Sequence, residues 1–343
     1  MFVKPKSLNP GDKVATISLS WGGAGDKELR WRYEQGVKRL EEVFELEVVA
    51  MPNSLKGTDY IYHNPQARAE DFMAAFRDPS IKGIISNIGG DDSIRMLPYI
   101  DYNVIHNNPK IFMGFSDTTI PHLICLKAGI SSFYGPAILT DFAENVAMDS
   151  YTIEMMKRTL FSNNKIGLIE PAAEWTSEHI RWEEQNKNRK RKRKPNRGYE
   201  LIQGEGVVRG HLIGGCMEVL EFAKGTSIWP DEEVFENSIL FFETSEETPN
   251  PSMIRYWLRN YGAQNILAKV SGILFAKPLD EKYYEEYKIE IQTVLKEFHL
   301  EKLPVLYNLN FGHTEPKLIL PYGAMAEIDC NQMTFSLIDN GVE

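Results

Sequence analysis

The residues equipped for covalent chemistry are a serine on a turn, a histidine in a loop and a glutamate that closes an apolar run. In Ile111-Phe112-Met113-Gly114-Phe115-Ser116-Asp117-Thr118-Thr119 the apolar stretch stops at Gly-x-Ser and becomes a helix start. Ile, Phe and Met fit a buried strand, and the Ser-Asp-Thr-Thr oxygens can cap the first N–H groups of a helix. A strand-turn-helix of this kind lifts the Ser116 hydroxyl above a sheet edge. There the helix dipole and the N–H of Asp117 can stabilise an oxyanion. Ser is also a favoured N-cap, so a purely structural cap is the competing reading.

A serine hydroxyl is a weak nucleophile until a general base and a group that orients the base are beside it. Seven histidines compete for that role. His313, in Asn308-Leu309-Asn310-Phe311-Gly312-His313-Thr314-Glu315-Pro316, sits in a Gly- and Pro-flanked loop just past an expected strand, where functional side chains collect. His122 falls inside the helix after Ser116 and His211 inside a strand, both better explained by packing. Ser238-Ile239-Leu240-Phe241-Phe242-Glu243 ends an apolar strand with a carboxylate able to orient His313, unless it is simply a solvated strand end. The order Ser, Glu, His matches one known triad order, which alone is weak evidence. Gly89-Gly90, also at a strand end, can bring a backbone N–H close to a substrate oxygen or can be an ordinary turn.

The elements that must position these groups alternate. Strands are expected over 13–19, 46–50, 83–88 and 110–115, with helices at the spacing of Leu29, Tyr33, Val37, Leu40 and Phe44 and over 65–76. Alternation of this kind implies βαβ units and a mostly parallel sheet, with ligands at the C-terminal strand ends. Farther on, strands over 206–213, 238–242, 271–276 and 304–306 alternate with helices over 217–222, 251–261 and 281–298. Between the halves, 187–194 is the basic run Lys-Asn-Arg-Lys-Arg-Lys-Arg-Lys, preceded by Trp175 and Trp182. It reads as a long solvated connector. The expected division is therefore 1–165 with the nucleophile, a connector at 166–205, and 206–343 with Glu243 and His313.

The 343 residues, 43% hydrophobic and 25% charged, suit two globular domains. A net charge of -10 argues against nucleic acid or an anionic membrane as partner. No apolar run has the length of a membrane span and the N-terminus lacks a signal-peptide core, so a cytoplasmic protein is expected. Cys125, Cys216 and Cys330 lack metal-ligand or disulfide spacing.

Taken together, Gly114-Phe115-Ser116-Asp117-Thr118, strand-end Glu243 and Gly312-His313-Thr314-Glu315-Pro316 with Pro321-Tyr322-Gly323 resemble the LD-carboxypeptidase family of serine peptidases. The resemblance runs nearly end to end. Gly89-Gly90-Asp91-Asp92-Ser93 and the aromatic connector are similar to its branch of microcin C immunity proteins. The resemblance implies Ser116 as nucleophile, His313 as base, Glu243 as its orienting acid, and an oxyanion hole from the N–H groups of Gly90 and Asp117. It implies an N-terminal parallel-sheet α/β domain of flavodoxin-like form, a C-terminal α/β domain with a swivelling β-rich core, a homodimer, no cofactor and no metal. Substrate contacts are expected from Gly89, Asp91, Asp92, Trp182 and Trp175.

Two departures stand out. Asn87-Ile88-Gly89-Gly90-Asp91 replaces the Arg-Gly-Gly-Tyr-Gly type of loop usual in the carboxypeptidase branch, and Gly214-Gly215-Cys216-Met217 stands where many relatives carry Gly-Gly-Asn-Leu. The expected reaction is amide hydrolysis through an acyl-enzyme, on a peptidyl or aminoacyl nucleotide. Trp182 or Trp175 would stack on the base and connector cations would hold the phosphate; packing of the tryptophans onto the body is the alternative. A murein tetrapeptide LD-carboxypeptidase and a non-catalytic nucleotide- or sugar-binding protein are the rival readings.

Overall fold

Strands β1 (Lys13–Ile17), β2 (Glu47–Ala50), β3 (Ile81–Ser86), β4 (Ile111–Gly114) and β5 (Phe133–Tyr134) form one sheet in the order β5-β4-β3-β1-β2, all parallel. Every residue of β4 is buried, as expected of a central parallel strand covered on both faces. The computed structural model describes residues 2–343. A second sheet of eight strands is built around four adjacent parallel ones, Val207–Cys216, Ser238–Glu243, Gly272–Ala276 and Val305–Leu309. Antiparallel strands flank them on both sides.

The chain crosses between the sheets beyond the expected boundaries. Gly167–Ile169 joins the second sheet, and Leu320–Pro321 returns to pair antiparallel with β5. The helix Thr119–Lys127 is buried from Thr119 to Leu126, because it is enclosed between the first sheet and the helix Met217–Ala223. One apolar cluster accordingly contains Phe112 and Ile124 from the first half and Leu240 and Phe242 from the second. Each such side chain contributes about 1.5–3 kcal/mol by leaving water. The helix expected from 281 starts instead at Tyr284, since Asp280, Glu281 and Tyr283 all have positive φ.

The basic run is largely exposed, as its composition suggests, but the connector is pinned to the body rather than free. Glu174–Trp175 pairs with Lys194–Pro195, closing residues 176–193 into a strap. Arg191 lies between Glu144 and Glu315, Arg193 meets Asp149 and Arg189 meets Glu178. Two cations of the basic run, Arg191 and Arg193, are thus matched to acids of the body, and Arg189 to an acid of the strap itself. Among the described residues no helix is long and apolar enough to cross a membrane.

Candidate active site

The parallel strands of both sheets end at one cavity of about 840 Å³, lined by Gly89, Gly90 and Ser116 from the first half and by Cys216, Ser245 and His313 from the second. Ser116 follows β4 with φ +63, a left-handed conformation that costs a residue with a Cβ energy. The N-cap position of the turn Ser116–Thr118 is Phe115, and the Ser116 hydroxyl is bonded to His313 instead of to a helix N–H. The cap explanation therefore fails, and the strained turn aims the hydroxyl into the cavity. His313 Nε2 lies 3.2 Å from Ser116 Oγ, and its Nδ1 lies 2.6 Å from Glu243 Oε2. Glu243 is no solvated strand end: only 2% of it is exposed.

The surrounding backbone holds this chain of bonds in register. The Ser116 N–H donates to the Tyr134 hydroxyl (3.0 Å), which donates to Glu243 Oε1 (2.6 Å). The hydroxyl of Thr119 donates to the Ser116 carbonyl (2.7 Å) and accepts from the Cys216 N–H (3.1 Å), which stitches the two strand ends together. Gly312 has φ +81, and a Cβ there would sit 2.5 Å from the Glu243 carboxylate. Only glycine lets the acid reach the imidazole of the next residue.

Gly89 packs against Ser116, where a Cβ would meet Ser116 Cβ at 2.9 Å and Oγ at 3.1 Å. At Gly90, φ is +146 and a Cβ would collide with Ser20 Oγ at 2.2 Å. The Gly-rich loop is held to the serine turn by Asp117, whose carboxylate accepts from the Ser93 N–H (2.9 Å). The Asp117 N–H opens a helical turn and so has no partner within it.

His313 also feels a second carboxylate. Glu246 Oε2 is 3.1 Å from Nε2, competing with Ser116 for that nitrogen. Burial disfavours the imidazolium, but Glu243 and Glu246 outweigh it and raise the His313 pKa to about 10. The contact with His313 holds Glu246 down at about 2, against its partial burial.

On the strap side Trp182 stacks on Trp21 with ring centroids 6.3 Å apart, and the Arg32 guanidinium lies 4.6 Å from the Trp182 ring. All three line the cavity. Arg32 donates to the Leu139 carbonyl (2.6 Å) and to Asn145 Oδ1 (3.0 Å). Thr176 of the strap exchanges backbone hydrogen bonds of 2.7 and 3.0 Å with Glu315, two residues beyond His313. Burial would raise the carboxyl of Glu315, but Arg191 and Lys317 hold it at about 2.

The LD-carboxypeptidase N-terminal domain matches residues 14–135 and the LD-carboxypeptidase C-terminal domain matches 209–328. The microcin C7 self-immunity protein MccF of Escherichia coli is 32% identical, over 97% of this chain and 94% of its own. The chain belongs to the LD-carboxypeptidase family. It is a serine peptidase-like enzyme. Among solved structures, the MccF-like protein from Streptococcus pneumoniae in complex with AMP superposes with a TM-score of 0.87 at 34% identity, covering 95% of this chain and 98% of that one. MccF in complex with aspartyl sulfamoyl adenosine gives 0.83 at 26% identity, over 99% of this chain and 100% of the other.

Within this LD-carboxypeptidase fold, two residues expected at the substrate lie elsewhere. Trp175 is 1% exposed and packs its ring against Lys277 and Lys194, 4.5 and 4.8 Å away, outside the cavity lining. Asp92 turns from the cavity to the buried Arg68 (2.5 Å) and to Arg95 (2.8 Å), because an enclosed guanidinium demands a carboxylate. Gly89, Asp91 and Trp182 do line the cavity. The connector cations expected at a phosphate are mostly spent on acids, and Arg32, from the first helix, is the cation beside Trp182. Trp21, Arg32, Tyr134 and Glu246 were not singled out in the sequence. Tyr134 carried one usable signal, its place at the end of the strand next to β4.

Proposed function

We propose that this enzyme cleaves the amide bond joining an aminoacyl or peptidyl group to a nucleotide-like leaving part. The observation that carries the reading is the hydrogen-bonded chain Ser116–His313–Glu243 in the same cavity as the Trp182, Trp21 and Arg32 cluster. Ser116 Oγ attacks the acyl carbon while His313 Nε2 takes its proton, and Glu243 keeps the ring oriented. The oxyanion is received by the N–H groups of Gly90 and Asp117. As the C–N bond breaks, His313 returns the proton to the leaving nitrogen. Water, deprotonated by the same imidazole, then hydrolyses the ester and restores Ser116.

Trp182 offers a face for a purine, and Arg32 a charge for the group that links it to the acyl part. The relatives support this end of the reading: the solved MccF-like structures include complexes with AMP and with aspartyl sulfamoyl adenosine. The reading includes immunity or detoxification as the biological role and a homodimer as the working form.

The test is hydrolysis of an aminoacyl sulfamoyl adenosine beside a murein tetrapeptide ending in D-Ala, with Ser116→Ala as baseline. Cleavage of the first alone is expected. Serine-dependent cleavage of the tetrapeptide alone would make this a murein carboxypeptidase, and cleavage of neither would favour a binding protein.

A further inference from the structure

The cavity that holds Ser116 is lined by two chemically different groups of residues. The strap side carries the stacked tryptophans and Arg32. A second wall is formed by the segments that follow the strands Val207–Cys216 and Ser238–Glu243, and it is acidic: Glu218, Glu246 and Glu247 line the cavity from there. Among the described residues lining that wall none is a lysine or an arginine. The two arginines of the cavity lie elsewhere, Arg191 spent on Glu144 and Glu315 and Arg32 held beside Trp182.

The three carboxylates are held differently. One oxygen of Glu218 accepts both the N–H and the hydroxyl of Ser245 at 2.8 Å, which fixes its position, and the other has the Cys216 thiol at 3.3 Å. Glu246 rests on His313 at 3.1 Å. Glu247 is exposed and in no ion pair among the described residues. Val219 and the half-exposed ring of Phe222 line the same cavity as these acids. An aliphatic stem with a cationic head fits those surfaces, the stem on the apolar groups and the head among the carboxylates.

Resting on the amidohydrolase reading, we infer that the acyl group this enzyme takes carries a cationic side chain of lysyl or arginyl type, with Glu218 and Glu247 as the residues that select it. What makes this more than a group of acids is its place: the wall borders the hydroxyl that must attack the acyl carbon, so the acyl substituent has to lie against it. A carboxylate side chain, such as the aspartyl group bound by the solved relative, would face like charges here with no cation to receive it. A lysyl ammonium would instead give Glu246 a partner other than His313 and free Nε2 for Ser116.

The deciding experiment compares kcat/KM for lysyl, leucyl and aspartyl sulfamoyl adenosine with the wild-type chain, Glu247→Lys and Glu218→Gln. The lysyl compound should exceed the aspartyl one by at least about tenfold, a difference of about 1.4 kcal/mol. Glu247→Lys should erase or invert that ratio, and Glu218→Gln should shrink it, both chiefly through KM. The ratio should also narrow at high salt. Glu247 is exposed, so its variant keeps the fold even if Glu218→Gln does not. Equal rates on all three compounds, or a lysyl-to-aspartyl ratio that Glu247→Lys leaves unmoved, would overturn the selection while leaving the amidohydrolase standing. If none is cleaved in a Ser116-dependent way, the amidohydrolase reading falls and the selection falls with it.

Discussion

The turn that carries Ser116 and the strap that crosses beside it are held by opposite means. At the turn, positions are set by backbone: positive φ at Ser116, glycines at 89, 90 and 312 where a Cβ would collide, and hydrogen bonds across a few residues. The strap has little regular structure and, beyond the backbone pairing of Thr176 with Glu315, is held by charge, through Arg191 on Glu144 and Glu315 and Arg193 on Asp149. The difference teaches that the Ser116 turn is placed by a rigid local scaffold, whereas the strap rests on pairs contributed from distant parts of the chain. Function should therefore fail abruptly at the turn and gradually at the strap.

The sharpest break is Ser116→Ala. Loss of the nucleophile should lower kcat/KM by roughly 10⁴–10⁶-fold, with a melting temperature close to that of the parent. Residual turnover near the parental level would mean that the serine is not the attacking group.

Next in size, Arg191→Ala leaves the mostly buried Glu144 without its cation and Glu315 with Lys317 alone, and breaking a buried pair in comparable sites costs about 3–5 kcal/mol. Limited proteolysis should then cut within 176–193 far faster, and KM for a nucleotide-linked substrate should rise. An unchanged cleavage pattern would mean that the backbone pairing of Thr176 with Glu315 holds the strap by itself.

Trp182→Ala tests whether the strap recognises or only covers. Loss of one base stack, about 1–3 kcal/mol, corresponds to a roughly tenfold or greater rise in KM with kcat little changed. A mutant with parental KM would assign Trp182 to packing on Trp21.

The smallest expected effect is a shift in pH profile. His313 must be neutral to accept a proton, and Glu243 and Glu246 together raise its pKa, so kcat/KM in the free enzyme falls as pH drops below that raised value. Removing one of those charges by Glu246→Gln should move the acid limb to lower pH. A limb that stays put would show that Glu246 leaves His313 before the step that limits the rate.

Much of this site was legible in the chain, for reasons that differ residue by residue. Ser116, Glu243 and His313 each close or follow a strand whose apolar run is visible, and parallel sheets gather such ends. Gly89-Gly90 and Gly312 advertise backbone that cannot bear a side chain. Trp175 and Trp182, by contrast, looked equivalent, being aromatic residues seven positions apart in a polar stretch. One is enclosed against Lys277 and the other faces the cavity, a choice made by residues on other elements. Asp92 likewise could not be separated from Asp91 without the buried Arg68 that claims it.

By itself the sequence determined the alternation of strands and helices and the loops that hold the reactive residues, because hydrophobic period and turn chemistry act over short stretches of chain. Only the tertiary structure decided that the basic run is a pinned strap, that Tyr134 links serine to glutamate, and that one wall of the cavity is acidic. Those outcomes depend on charge and hydrogen-bond pairing between residues up to about a hundred or more positions apart, as with Tyr134 and Glu243 or Arg191 and Glu315.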